Sequence, residues 1–122
     1  MNIFVTHSSN FDFKNELYIP LRKSELNNLH TIFLPHEEEN DEVLTKDNIK
    51  KSDIVLAEVS FPSTGQGIEL GWANIYQVPI ICIYKINSKI SSSLNLLTDK
   101  FVIYENSNDM VQKLIDYLNE GK

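Results

Sequence analysis

A single α/β domain built on a doubly wound parallel sheet is what the sequence predicts, and three observations carry that expectation. Ile54 to Val59 is an almost unbroken apolar run of strand length, as a parallel strand covered on both faces requires. Pro79 to Tyr84 repeats the pattern. Between the two, Phe61-Pro62-Ser63-Thr64-Gly65-Gln66-Gly67 supplies turn chemistry, and Ile68, Trp72, Ile75 and Tyr76 then recur at helical spacing as far as Gln77, so the stretch is one βαβ unit. A chain of 122 residues forms one such domain, 1–122, and buries about two-thirds of its unfolded surface without metal or disulfide support.

The remaining elements follow in order. Ile3 to Thr6 is the first strand and delivers Thr6-His7-Ser8-Ser9-Asn10 to the carboxyl edge of the sheet. Phe13, Leu17, Leu21 and Ser24 to Leu29 predict a helix over 12–28, bent at Pro20 because proline removes a backbone donor. Thr31 to Leu34 is the second strand, ended by Pro35. The acidic side chains of His36-Glu37-Glu38-Glu39-Asn40-Asp41-Glu42 repel one another and predict a solvated loop. No metal site is expected there, since oxygen-ligand sites space their carboxylates and use glycine turns that this run lacks. Val43 to Lys51 is a short helix leading into Asp53.

Beyond the central unit, Asn87-Ser88-Lys89 and Ser91-Ser92-Ser93 make a polar crossing, with a short helix through Leu96. Lys100 to Tyr104 is the last strand. Ser107 or Asn106 caps a final helix whose Met110, Val111, Leu114, Ile115 and Leu118 form an apolar stripe, with Gly121 just past its end. Five strands alternating with helices through right-handed crossovers predict the flavodoxin-like (Rossmann-like) order 2-1-3-4-5, with helices on both faces.

Composition bounds the function. With 42% hydrophobic and 23% charged residues the chain is ordinary globular protein, and no apolar run reaches the length of a membrane span. Met-Asn-Ile-Phe-Val-Thr opens directly into a strand without a basic region or cleavage site, so a cytoplasmic location is expected. Cys82 stands alone in a strand and reads as a small core residue. A net charge of −6 with no basic cluster argues against long nucleic acid, whose binding depends on phosphate neutralisation. A single small nucleotide needs only a local pocket.

Chemistry is expected at the carboxyl ends of the strands, where open α/β sheets bind ligands. The loop from Ser60 to Gly67 lies there, and Gly65 and Gly67 let a ligand approach the backbone closely. Gly71, one turn on, would let the helix approach the sheet. Ser63 and Gln66 are spaced as a capping box, and Ser63 is open equally to an N-cap or a ligand contact. Glu69 sits in the first turns of the helix, where the free N–H groups and the dipole would hold it ionised, a form suited to nucleophilic work. Its alternative is a solvated helix residue. Thr6 to Asn10 could cradle phosphate or sugar, or simply make a turn. His7 is open to acid, base, ligand-contact or purely structural roles.

The run Ala57-Glu58-Val59-Ser60-Phe61-Pro62-Ser63-Thr64-Gly65-Gln66-Gly67-Ile68-Glu69-Leu70-Gly71-Trp72-Ala73 resembles the signature of the nucleoside 2-deoxyribosyltransferase superfamily, and within it the 2'-deoxynucleoside 5'-phosphate N-hydrolases. The likeness is strong over the centre of the chain and topological elsewhere. It implies that Glu69 attacks the anomeric carbon of the sugar, that Ser63, with Thr64 and the N–H groups near Gly65, contacts a 5'-phosphate, and that Thr6, Ser8 and Gly67 border the substrate. It also implies a homodimer or higher homo-oligomer and no cofactor.

Two departures from that signature stand out. Phe4 falls where the family carries a catalytic tyrosine, with His7 where a glycine would be. Thr45 falls where it carries a proton-handling aspartate, with Asp47 two residues later and Asp41 four residues earlier. Either aspartate, or His7, could take up the proton role. The rival readings are a non-catalytic nucleotide-binding module of the same fold and a flavin-binding flavodoxin-like protein, the second of which leaves Glu69 without a purpose.

Overall fold

The computed structural model describes residues 1–37 and 45–120. Within them, five strands form one fully parallel sheet: β1 Asn2–His7, β2 Thr31–Phe33, β3 Ile54–Glu58, β4 Ile80–Lys85 and β5 Phe101–Tyr104. Their spatial order is β2-β1-β3-β4-β5, the doubly wound order the sequence predicts. The helices are α1 Ile19–Lys23, α2 Leu26–Leu29, α3 Thr45–Lys50, α4 Thr64–Ile75 and α5 Ser107–Glu120. No helix among the described residues is long and apolar enough to cross a membrane.

Alternation along the strands divides the core in two. Ile3, Val5, Leu56, Ile81 and Ile83 face Leu17, Leu21, Met110 and Leu114 of the α1 and α5 side. Phe4, Val55, Ala57, Ile80 and Cys82 face Ile49, Leu70 and Ala73 of α3 and α4. All of β3 is buried, which is why its sequence is a run rather than an alternation. Burial also pushes the Cys82 thiol up to about 11, the condition of an inert core residue.

The expected bent helix over 12–28 is in fact three short pieces. A turn of π-helix at Lys14–Tyr18 runs into α1, whose first turn holds Pro20; a residue without an N–H fits where helical N–H groups have no partner anyway. The backbone is extended at Ser24 before α2 begins. At the far end, Asn106 rather than Ser107 caps α5, its Oδ1 accepting from the Asp109 N–H at 2.9 Å. Of the acidic run, Glu37 is paired rather than merely solvated: Arg22 donates from Nε and Nη2 to its two oxygens at 2.9 and 2.7 Å and holds its carboxyl below the usual range. Residues 38–42, Asp41 among them, lie outside the described residues.

Helix α4 carries the site and is fixed at both ends. Ser63 caps its start, accepting loosely from the Gln66 N–H at 3.5 Å. Its end is a Schellman turn, with Val78 N–H on Ala73 O and Gln77 N–H on Asn74 O, and Gln77 takes the left-handed conformation at φ 60° that this turn needs. Gly71 does not serve close approach to the sheet, since a Cβ there would meet nothing within 4 Å.

Candidate active site

Parallel pairing sets Thr6 beside Ala57 and His7 beside Glu58 at the carboxyl edge, and α4 returns over that edge. Two cavities flank its first turn, of about 460 and 400 Å³, and Ser63 and Gln66 border both. The larger, walled by Val59, Thr64, Gly67, Leu70, Ser91, Ser93 and Leu97, has no titratable side chain in its lining. The smaller gathers His7, Ser9, His36, Thr45, Gly65, Ile68, Glu69 and Trp72, so of the two it is the one with titratable side chains in its wall.

Glu69 is half-buried on the second turn of α4, past the free N–H groups that would hold it ionised. Burial instead raises its pKa, opposed in part by the Thr6 hydroxyl, which donates to Oε1 at 2.6 Å. Desolvation therefore outweighs the helix start, contrary to the sequence expectation.

Gln66 forms only half of a capping box. Its side chain does not turn back to Ser63 but donates from Nε2 to the main-chain carbonyls of Glu58, at 2.7 Å, and Thr6, at 3.3 Å. Both carbonyls lie near the carboxyl ends of their strands, and the buried amide fastens α4 to β1 and β3.

His7 is buried beneath the smaller cavity. Its Nδ1 faces the Ser8 carbonyl at 2.7 Å, which can only accept, so Nδ1 carries the hydrogen. Nε2 then accepts from the Tyr18 hydroxyl at 2.6 Å. Desolvation, with a smaller contribution from the charge of His36, brings the pKa down to about 4 although the Ser8 carbonyl opposes it. The Tyr18 oxygen in turn accepts from the His36 N–H at 3.0 Å. This positions His36 at the cavity, its ring centroid 5.4 Å from that of His7.

Four expected site residues line neither cavity. Phe4 is wholly buried and stacks on Phe33 at 5.4 Å. Thr6 is likewise buried, with its hydroxyl committed to Glu69. Ser8 is buried and accepts from the Asn10 N–H at 3.0 Å; its neighbour Ser9 borders the cavity instead. Asp47 stands exposed on α3, because Thr45 and Ile49 are the buried residues of that helix and a residue two positions from each falls on its far side. Among the described residues Glu69 is thus the one acidic side chain in the lining. No three His, Cys, Asp or Glu side chains among them gather as metal ligands would.

A second buried carboxyl was not singled out by its sequence context. Glu58, at the end of β3, accepts from the Ser60 N–H at 2.7 Å and the Ser60 hydroxyl at 2.8 Å, and pairs with the Tyr104 hydroxyl. Burial raises its pKa, and burial, helped by the same contact, raises that of Tyr104.

The parallel α/β fold, with a half-buried glutamate over its carboxyl edge, has counterparts among known proteins. No family model matches the chain. Over 42 residues it is 40% identical to a candidate 2'-deoxynucleoside 5'-phosphate N-hydrolase of Methanosarcina barkeri, and over 74 residues 30% identical to a 5-hydroxymethyl-dUMP N-hydrolase of Tetraodon nigroviridis. These matches cover 34% and 57% of this chain and span 26% and 52% of the relatives. Among solved structures, a Clostridium botulinum CMP N-glycosidase superposes with a TM-score of 0.68, at 22% identity over 93% of this chain and 98% of the other. A 2-deoxyribosyltransferase of Bacillus psychrosaccharolyticus gives 0.54, at 20% identity over 90% of each. The fold is that of these two solved structures, and the sequence resemblance to the nucleoside 2-deoxyribosyltransferase superfamily is matched by the similarity to the N-hydrolases.

Proposed function

We propose that the protein breaks the N-glycosidic bond of a nucleotide or nucleoside, with a deoxynucleoside 5'-monophosphate the favoured substrate. The observation that carries this reading is Glu69, a carboxylate at the wall of a cavity of about 400 Å³ with one oxygen held by Thr6. In this reaction Glu69 forms a bond to the anomeric carbon as the C–N bond breaks through an oxocarbenium-like transition state, and the electron pair leaves with the base. Water, losing a proton to the group that protonated the departing base, or a second base, then attacks the anomeric carbon, and its bond to Glu69 breaks to regenerate the carboxylate.

The departing base needs a proton. His7 is a poor source, being neutral with both ring nitrogens engaged, and Asp47 is exposed and borders neither cavity. His36, in the cavity wall, is the better candidate, since imidazole is the commonest proton carrier in catalysis. Ser63, Thr64 and the N–H groups at the start of α4 suit a 5'-phosphate, and a Cβ at Gly67 would have no neighbour within 4 Å, which leaves room for it. The homodimer implied by the resemblance is carried over as part of the proposal. Incubating the protein with deoxynucleosides, ribonucleosides and their monophosphates, and assaying free base by chromatography, tests the reading.

A nucleotide-binding module without turnover is the second reading. It is favoured by Thr45 in the cavity wall and by the lack, among the described residues, of a second lining carboxyl. Tight monophosphate binding with no base release would select it.

A further inference from the structure

We infer that Thr6 is the positioning residue of Glu69: its hydroxyl fixes Oε1 and leaves Oε2 as the attacking atom. The inference rests on the proposed function only for the word attack; the clamp itself is geometric. Thr6 is wholly buried on β1, and a β-branched side chain has few rotamers available there. Its hydroxyl therefore has a fixed direction, and at 2.6 Å from Oε1 it makes the short bond typical of a charged acceptor. Among the described residues no hydrogen bond reaches Oε2.

The partner is fixed independently. Gln66, buried in the first turn of α4, donates to the carbonyl of Thr6 itself and to that of Glu58. Glu69 follows three positions later on the same helix face. Thr6 thus holds both anchors of the site, Gln66 through its carbonyl and Glu69 through its hydroxyl. Rotation of the carboxylate away from the substrate would break this part-buried bond. The hydroxyl also favours the ionised carboxylate against the effect of burial.

The test compares Thr6→Val, which keeps the branched shape and removes the donor, with Thr6→Ser, which keeps the donor. Thr6→Val should lower kcat about tenfold to a hundredfold, the scale of loss from a misplaced reacting group, with KM little changed. The acidic limb of its pH profile should move to higher pH, and Thr6→Ser should restore most of the rate. Wild-type kcat with an unmoved limb in a folded Thr6→Val protein overturns the inference, as does a Thr6→Ser variant as slow as Thr6→Val. If wild type and Glu69→Gln alike release no base, the proposed function fails separately, and a carbon-13 NMR titration of the Glu69 carboxyl still reads the clamp. A midpoint raised in Thr6→Val supports it and an unchanged midpoint overturns it.

Discussion

Tyr18 donates its phenolic hydrogen to His7 Nε2 across 2.6 Å, because His7 Nδ1 already donates to the Ser8 carbonyl. The pair carries no charge near neutrality, so it brings no cation to the cavity that His7 and Glu69 both line. NMR titration of the His7 ring should accordingly find the neutral Nδ1–H tautomer until the pH falls to about 4. An imidazolium at pH 6 would contradict this arrangement.

Proton delivery sets Asp47, which the sequence offers for the role, against His36, which it does not. His36 borders the cavity and Asp47 does not. In parallel assays His36→Asn should lose roughly two to four orders of magnitude in turnover, the usual worth of general acid help, and Asp47→Asn should lose far less. The reverse ranking would return the role to α3.

Phosphate recognition is read by affinity. Calorimetry should find monophosphates binding more tightly than the matching nucleosides, and Ser63→Ala should weaken the monophosphate while leaving the nucleoside nearly unaffected. Equal affinities for the two ligand classes would favour the transferase side of the superfamily.

Glu58 makes stability depend on pH with a definite sign. Its folded pKa is raised by burial, so the native state retains a proton that the unfolded chain releases. The stabilisation from this group is full below the unfolded value and is lost as pH rises through the folded one. Glu58→Gln, which is close to it in shape and cannot ionise, should flatten that decline in urea denaturation curves. Glu58→Ala should destabilise at every pH, by about 1–3 kcal/mol for each polar group left buried without a partner.

The central unit was legible because β3 and β4 are buried on both faces and leave apolar runs, and because the loop between them is written in serine, proline and glycine. The contacts that turn this loop into a site were not. Thr6 and Glu69 are 63 residues apart, and only the parallel pairing of β1 with β3 and the return of α4 bring them together. The spacing of Gln66 from Ser63 satisfied a local rule, which hid the use of its amide by two strand ends. His36 reads as the first member of an acidic run, although Tyr18 ties its backbone to the cavity. The ionisation of Glu69 came out with the opposite shift because its position along the helix is visible in a sequence and its burial is not.

The pH dependence of turnover follows from that burial. The ionised Glu69 is the reactive form and its pKa is raised, so kcat/KM should fall on acidification through a midpoint above the about 4.3 of an ordinary glutamate. A midpoint at or below that value would mean that another group sets the acid limb.

The most direct test of the account is base release from a panel of deoxynucleoside monophosphates by the wild-type protein and by Glu69→Gln, each shown to be folded by circular dichroism. Free base and sugar phosphate are expected from at least one monophosphate with the wild type, and none with Glu69→Gln. Equal release by the two proteins, or none by the wild type from any member of the panel, would contradict it.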